Sequence, residues 1–231
     1  MYRSRPAPSW PARVAAAIVR AGAEILVTGG VVVLLFAVYV VVWSDVQTAA
    51  AQVGLRDDFA KQVRTAAAPQ ETTGKAAPAP VAAAQGTGIA VMRIPRLGDD
   101  WSWVVVEGVG DEQLARGPGR FPDTAQPGQL GNFAVAGHRA THGEPFAHID
   151  QMREGDSVVV EAVGETYTYV VDRIEIVAPT TVDVLLPVPG KPEASARKAR
   201  LTIVTCHPRW GSSERLIVHG HLAETRIGSE A

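Results

Sequence analysis

The chain has 231 residues, a formal net charge of −2, six histidines and a single cysteine, with 46% hydrophobic and 20% charged residues. A lone thiol excludes an intramolecular disulfide framework and a Cys-rich zinc site, and the near-neutral charge without an arginine–aromatic pattern gives no support for nucleic-acid binding. A domain without disulfides must hold together through its own core, so the folded part has to be of substantial size.

Residues Ile25 to Ser44 carry no charge, lie between Glu24 and Asp45, and are mostly Val, Leu, Ile and aromatic. As a helix this run rises roughly 30 Å, the thickness of a bilayer's hydrocarbon core. The composition predicts a transmembrane helix over 25–44. Arg3, Arg5, Arg13 and Arg20 precede it, whereas charges of both signs follow it; the basic flank, 1–24, is therefore expected in the cytoplasm and the rest of the chain outside. The alternative is a cleavable signal peptide, for which Ala49-Ala50-Ala51 offers small residues near a cleavage point, although the run is longer than the usual h-region.

Residues 45–64 mix Val46, Val53, Leu55, Phe59 and Val63 with charges, as expected of a helical continuation or juxtamembrane stalk. From 65 to 87 the chain is rich in Ala, Pro, Thr, Gly and Gln and has almost no bulky side chain. Such a segment buries too little apolar area to order itself and is expected to be a flexible spacer.

A domain is expected over 88–224, followed by a tail at 225–231. Its strand signals fall at Ile89–Ile94, Trp103–Glu107, Gly131–Ala136, Ser157–Ala162, Glu165–Val177, Ala199–Thr205 and Leu216–Leu222. These short Val-rich runs, punctuated by Gly, Pro and Asp, predict a mainly β fold, a closed or nearly closed barrel. Gly164 marks a hairpin turn between two of them. Helical signals are few, at Asp111–Arg116 and Pro145–Met152.

Cys206 ends an apolar run, Leu201 to Thr205, and is followed by His207-Pro208. A thiol's ordinary pKa is about 8.5, so a nucleophilic cysteine needs a nearby cation or imidazole. His138 follows the apolar strand Phe133-Ala134-Val135-Ala136 and the turn-permitting Gly137, which puts its imidazole at a strand exit where it can exchange protons with an amine. Arg215 stands directly before Leu216-Ile217-Val218. If Cys206 closes one strand and Arg215 opens the next, thiol and guanidinium share a rim, and the guanidinium can bind a developing oxyanion. Taken singly each residue has a plainer reading: a buried core thiol, a loop histidine, a solvated arginine beside Glu214. His219 and His221 share a strand face at a spacing seen among metal ligands, but no Asp, Glu or Cys completes a set. Glu107, Asp111, Glu112 and Asp172 form no calcium-loop cluster. No metal and no cofactor is expected.

Taken together, the residues resemble the sortase family. Thr202-Ile203-Val204-Thr205-Cys206 is similar to its TLxTC signature, with Ile203 where Leu is usual; Gly131 to Arg139 resembles the segment carrying its catalytic histidine; Arg215 falls where its catalytic arginine is expected. Gly117-Pro118-Gly119, Pro122, Thr124, Pro127-Gly128 and the stretch from Pro145 to Asp156 extend the resemblance over residues 88–224. It implies a sortase-type barrel of seven to eight strands with a few short helices after one N-terminal transmembrane helix. It also implies His138, Cys206 and Arg215 as catalytic residues. Thr205 could line the groove or present its methyl inward, and His207, adjacent to the thiol, could shape the pocket.

Cys206-His207-Pro208-Arg209 and Ala136-Gly137-His138-Arg139 look most like class E, the actinobacterial housekeeping group. That class implies cleavage of a Leu-Ala-x-Thr-Gly sorting signal between Thr and Gly through a thioacyl enzyme. The acceptor implied is a peptidoglycan-precursor (lipid II) amine, and the partners are secreted proteins bearing the signal. One departure is His142, where the class often carries a Tyr bordering the substrate groove. Competing readings are a pilin-polymerising sortase, whose Asp-Pro-aromatic lid tripeptide does not occur between Asp45 and Gly88, and an L,D-transpeptidase, whose Ser-His-Gly-Cys-x-Arg signature is absent. A non-catalytic wall- or peptide-binding module on the same fold is the alternative outside enzymes.

Overall fold

The computed structural model describes residues 10–67 and 83–227. Helix α1 spans Trp10–Ala67. Up to Trp43 many of its apolar side chains are exposed, Leu26, Val33, Leu34 and Phe36 among them, and among the described residues α1 is the one helix long and apolar enough to cross a membrane. From Ser44 onward the chain forms a second compact unit, in which the last turns of α1 pack on a barrel.

Eight strands close that barrel: β1 (Gly88–Arg93), β2 (Ser102–Glu107), β3 (Gly119–Arg120), β4 (Gly131–Ala136), β5 (Ser157–Glu161), β6 (Glu165–Val177), β7 (Ala199–His207) and β8 (Glu214–Ile227). Their order around it is β1-β2-β3-β4-β7-β8-β6-β5. Short helix α2 covers Asp111–Leu114, and 3₁₀ turns form at Pro95–Leu97, Ile149–Gln151 and Val182–Leu185. The mainly β barrel and the β5–β6 hairpin agree with the sequence reading. Met92, Ile94, Val105, Phe133, Val135, Tyr169, Leu201, Ile203 and Val218 fill its interior.

Strand β3 was not expected, because Gly117-Pro118-Gly119 reads as a turn. It forms because Gly119 has no side chain: a Cβ there would collide with the Gly108 carbonyl. Arg120 then reaches Glu107 with two hydrogen bonds, Nε at 2.8 Å and Nη2 at 2.6 Å, both side chains buried. The helix expected at Pro145–Met152 shortens to the 3₁₀ turn because Phe146, Ile149 and Met152 turn into the core. β8 runs past the expected Leu222 to Ile227, so the barrel takes in the first residues of the expected tail; its last polar residues pair with Glu165–Thr168 of β6.

Strand β2 explains why α1 continues beyond the apolar run. Val105 points into the barrel while Val104 and Val106 point out, and Leu55 and Phe59 of α1 cover them together with Val91. Burying a Leu and a Phe contributes roughly 4 kcal/mol gross. Polar contacts set the register. The Val106 N–H donates to the Pro118 carbonyl, but β3 is too short to serve Val104 on the same edge. Gln52 takes its place: its Oε1 accepts the Val104 N–H at 2.8 Å, and its Nε2 donates to the carbonyls of Val104 at 3.1 Å and Arg116 at 2.7 Å. Thr48 donates to the Ala115 carbonyl at 2.7 Å, and Arg56 donates to Ser102. The expected stalk, 45–64, is thus a helix docked on the barrel wall. Of the expected spacer, Thr65–Ala67 are helical and Gly86 and Thr87 hydrogen-bond to Glu107; residues 68–82 lie outside the described residues.

Because Gln52 satisfies a strand edge that no other described residue serves, Gln52→Ala is expected to destabilise the full chain by about 2 kcal/mol. Denaturant unfolding in detergent reads this as a lowered midpoint, and an unchanged midpoint would contradict the strand-edge role.

Candidate active site

Strand β7 lies between β4 and β8. It pairs antiparallel with β8 so that Cys206 stands directly opposite Arg215, and facing side chains on such a pair are about 5 Å apart at Cβ. It pairs parallel with β4, Ala136 opposite Val204. Two residues farther along both strands, His138 leaves the barrel at the level of Cys206. The register therefore brings thiol, imidazole and guanidinium to one rim, with the free, half-buried Cys206 in the middle.

The Arg215 guanidinium is fixed by its own loop. Nη1 donates to the carbonyls of Ser212 at 3.0 Å and Glu214 at 2.9 Å, which uses both of its hydrogens and leaves Nη2 and Nε to serve an anionic oxygen. An apolar groove of about 160 Å³ begins at Arg215 and is lined by Phe121, Val177, Val182, Val184 and Ile217. It is wide enough for an aliphatic side chain of an extended peptide.

His138 stacks on His142, ring centroids 4.6 Å apart and planes 24° from parallel. Burial pushes the His138 imidazole below its ordinary pKa of 6.5, the charge of His142 adds to that effect, and Asp111 opposes it. His142, Gly143 and Glu144 all adopt positive φ, 54°, 72° and 47°; for the two non-glycines this costs on the order of 1–3 kcal/mol each and persists only where surrounding contacts impose it. Those contacts are identifiable. Glu144 is ion-paired with Arg209, the Gly143 N–H donates to Asp45 Oδ1 at 2.8 Å, and a Cβ on Gly143 would sit 2.7 Å from the Trp103 ring.

Thr205 is buried and its Oγ1 donates to the Gly137 carbonyl at 2.8 Å. It lies beneath the rim and holds the exit of β4, and its oxygen keeps acceptor capacity. His207 accepts at Nδ1 from Arg139 Nη1 at 2.9 Å, which puts its ring hydrogen on Nε2. His219 and His221 each have separate partners. His219 is hydrogen-bonded to Thr202 and Glu175, and His221 to Asp172.

Arg139 carried no role in the sequence reading. It is buried directly behind the thiol, donating from Nη1 to the Cys206 carbonyl at 3.4 Å and pairing through Nη2 with Asp150 at 3.0 Å. An arginine next to a candidate histidine was the available signal, but its partners Cys206 and His207 are 67 and 68 residues away in sequence. Asp45 and Asp111 were missed for the same reason.

Residues 92–223 match the profile of the sortase domain family. The chain belongs to the sortase family. It is 36% identical to sortase SrtE1 of Streptomyces coelicolor over 91% of its own length and 59% of that protein's, so it spans less than two thirds of that relative. The sortase barrel also resembles the solved structure of sortase E from Streptomyces avermitilis, 44% identical with a TM-score of 0.57, covering 63% of this chain and 93% of that one. Sortase E1 of S. coelicolor, solved with a tripeptide in the active site, is 37% identical with a TM-score of 0.56, covering 62% and 94%. These relatives are of the class that the motifs around Cys206 and His138 resemble.

The packing around His138 has a direct spectroscopic consequence. Its imidazole is expected to titrate below 6.5, and His142→Ala, which removes both a covering ring and a neighbouring charge, is expected to raise that midpoint. Histidine-selective NMR titration measures both; an equal or lower midpoint in the variant would contradict the stacking role.

Proposed function

We propose that this sortase is a membrane-anchored class E transpeptidase that cleaves a Leu-Ala-x-Thr-Gly-type sorting signal and joins the carrier protein to a peptidoglycan-precursor amine. The observation that carries the proposal is the register that sets Cys206 opposite Arg215 and level with His138. The class assignment is supported by the sortase E relatives, and a peptide ligand by the tripeptide in the active site of the S. coelicolor enzyme.

In the first step the Cys206 thiolate adds to the carbonyl carbon of the signal's Thr, and the electron pair moves to its oxygen. Nη2 and Nε of Arg215 hold that oxyanion. On collapse the C–N bond to Gly breaks, the amine takes a proton from the His138 imidazolium, and a thioacyl enzyme remains. In the second step an acceptor amine attacks the same carbon, His138 takes back a proton, and the C–S bond breaks to give a new amide. The low pKa of His138 keeps most of it neutral at pH 7, so only a minority of molecules hold imidazolium and thiolate together, and a bell-shaped pH profile follows. The apolar groove beside Arg215 receives the aliphatic end of the signal.

The uncharged run 25–44 serves as the anchor, and its basic N-terminal flank supports an orientation with the catalytic unit outside the cell, where sorting signals and wall precursors meet. Full-length protein in detergent with matched fluorogenic peptides tests the reading. Leu-Ala-x-Thr-Gly is expected to be cleaved faster than Leu-Pro-x-Thr-Gly, Cys206→Ala to abolish cleavage, and Arg215→Ala to lower kcat by about 10²–10³. Wild-type turnover by Cys206→Ala would refute the mechanism.

A further inference from the structure

Two groups bear on His138 electrostatically, His142 and Asp111, and each sits on a segment that side chains of helix α1 hold by its backbone. Asp45 accepts the Gly143 N–H, one residue after His142. Thr48 and Gln52 donate to the carbonyls of Ala115 and Arg116, just after α2, which carries Asp111. Residues 45, 48 and 52 lie on one helix face, since side chains three and four positions apart are neighbours. One face of α1 therefore grips both segments that flank the imidazole.

The Asp45 contact controls the more demanding of the two. Positive φ at His142 and Glu144 is disfavoured for residues with a Cβ, and it is this backbone path that returns the His142 ring over His138. The turn is pinned on both sides of Gly143: by the ion pair of Glu144 with Arg209 after it and by Asp45 at the Gly143 amide itself. Releasing the amide removes the acceptor that the middle of the turn requires, and the loop relaxes toward ordinary φ values, carrying the His142 ring off His138.

We infer that Asp45, on the helix segment that follows the apolar run, is a positioning residue for catalysis: by accepting the Gly143 N–H it holds the 142–144 turn that orients His142 and, through it, His138. The inference rests on the reading of His138 as acid and base. It makes the docked helix part of the catalytic unit, so that a barrel cut near Gly88 lacks an element of its own active site.

Kinetics of the full chain in detergent with a fluorogenic Leu-Ala-x-Thr-Gly peptide decide the matter. Asp45→Ala is expected to lower kcat on the order of tenfold with little change in KM. Asp45→Asn, which keeps an acceptor oxygen, restores most of the rate. Arg56→Ala removes a different docking contact of the same helix and leaves kcat as it was. Wild-type kcat in Asp45→Ala overturns the inference while the thiol mechanism stands. Equal losses in Asp45→Ala and Asp45→Asn, accompanied by a lowered unfolding midpoint, also overturn it, because the role is then only docking. Failure of the wild type to cleave, or cleavage by Cys206→Ala, refutes the underlying reading instead.

Discussion

The candidate active site depends on the register of one strand. β7 is hydrogen-bonded on one side to β4 and on the other to β8, and a shift of one residue against either would turn Cys206 to the opposite face of the sheet. What prevents the slip is the burial on its two faces. Leu201 and Ile203 are locked into the barrel interior, while Thr202 on the other face is tied to Asn132 and His219, Oγ1 donating to Asn132 Oδ1 at 2.8 Å. Thr205 adds a link to the Gly137 carbonyl at the rim itself. The site is thus placed by core packing and by strand-to-strand hydrogen bonds several residues below it.

Around the rim, the candidate residues are held by contacts with the loops and segments beside them. Arg139 anchors the Cys206 carbonyl, the His207 ring and Asp150 from beneath, so a buried charge ties the end of β7 and the Ile149–Gln151 turn to the exit of β4. Its own charge is the buried one, while Asp150 is half exposed, so removing Arg139 takes a donor from the Cys206 carbonyl and the His207 ring and loosens the rim. Arg215 is steadied by carbonyls of its own hairpin, a cheaper arrangement because both partners are local. His138 depends on a loop of unfavourable backbone geometry, and that loop depends on helix α1.

Much of the barrel was legible in sequence because its strands alternate or run continuously apolar between glycines and prolines. β4 and β6 fall at their expected bounds, Gly131–Ala136 and Glu165–Val177, and Cys206 and Arg215 were expected at adjoining strand ends. What escaped is what tertiary contact creates. β3 has two residues and no hydrophobic period; the end of β8 is exposed and largely polar and joins the barrel through its backbone ladder with β6. The buried face of α1 after Ser44 runs from polar Thr48 and Gln52 to apolar Leu55 and Phe59, so a search for apolar periodicity sees only half of it. The contact of Asp45 with Gly143 spans 98 residues of sequence, and no local pattern announces it. The three candidate residues could be singled out from the chain, whereas the groups that pack around them could not.

The central claim is that the register of β7 makes Cys206 the acyl acceptor. Its most direct test is intact-protein and peptide mass spectrometry of the full chain, acid-quenched during turnover of a Leu-Ala-x-Thr-Gly peptide. The account predicts an added mass equal to the signal peptide up to and including its Thr, confined to the fragment containing Cys206 and discharged by an added amine. Signal cleavage with no adduct on that fragment, or an adduct on any other residue, would contradict it.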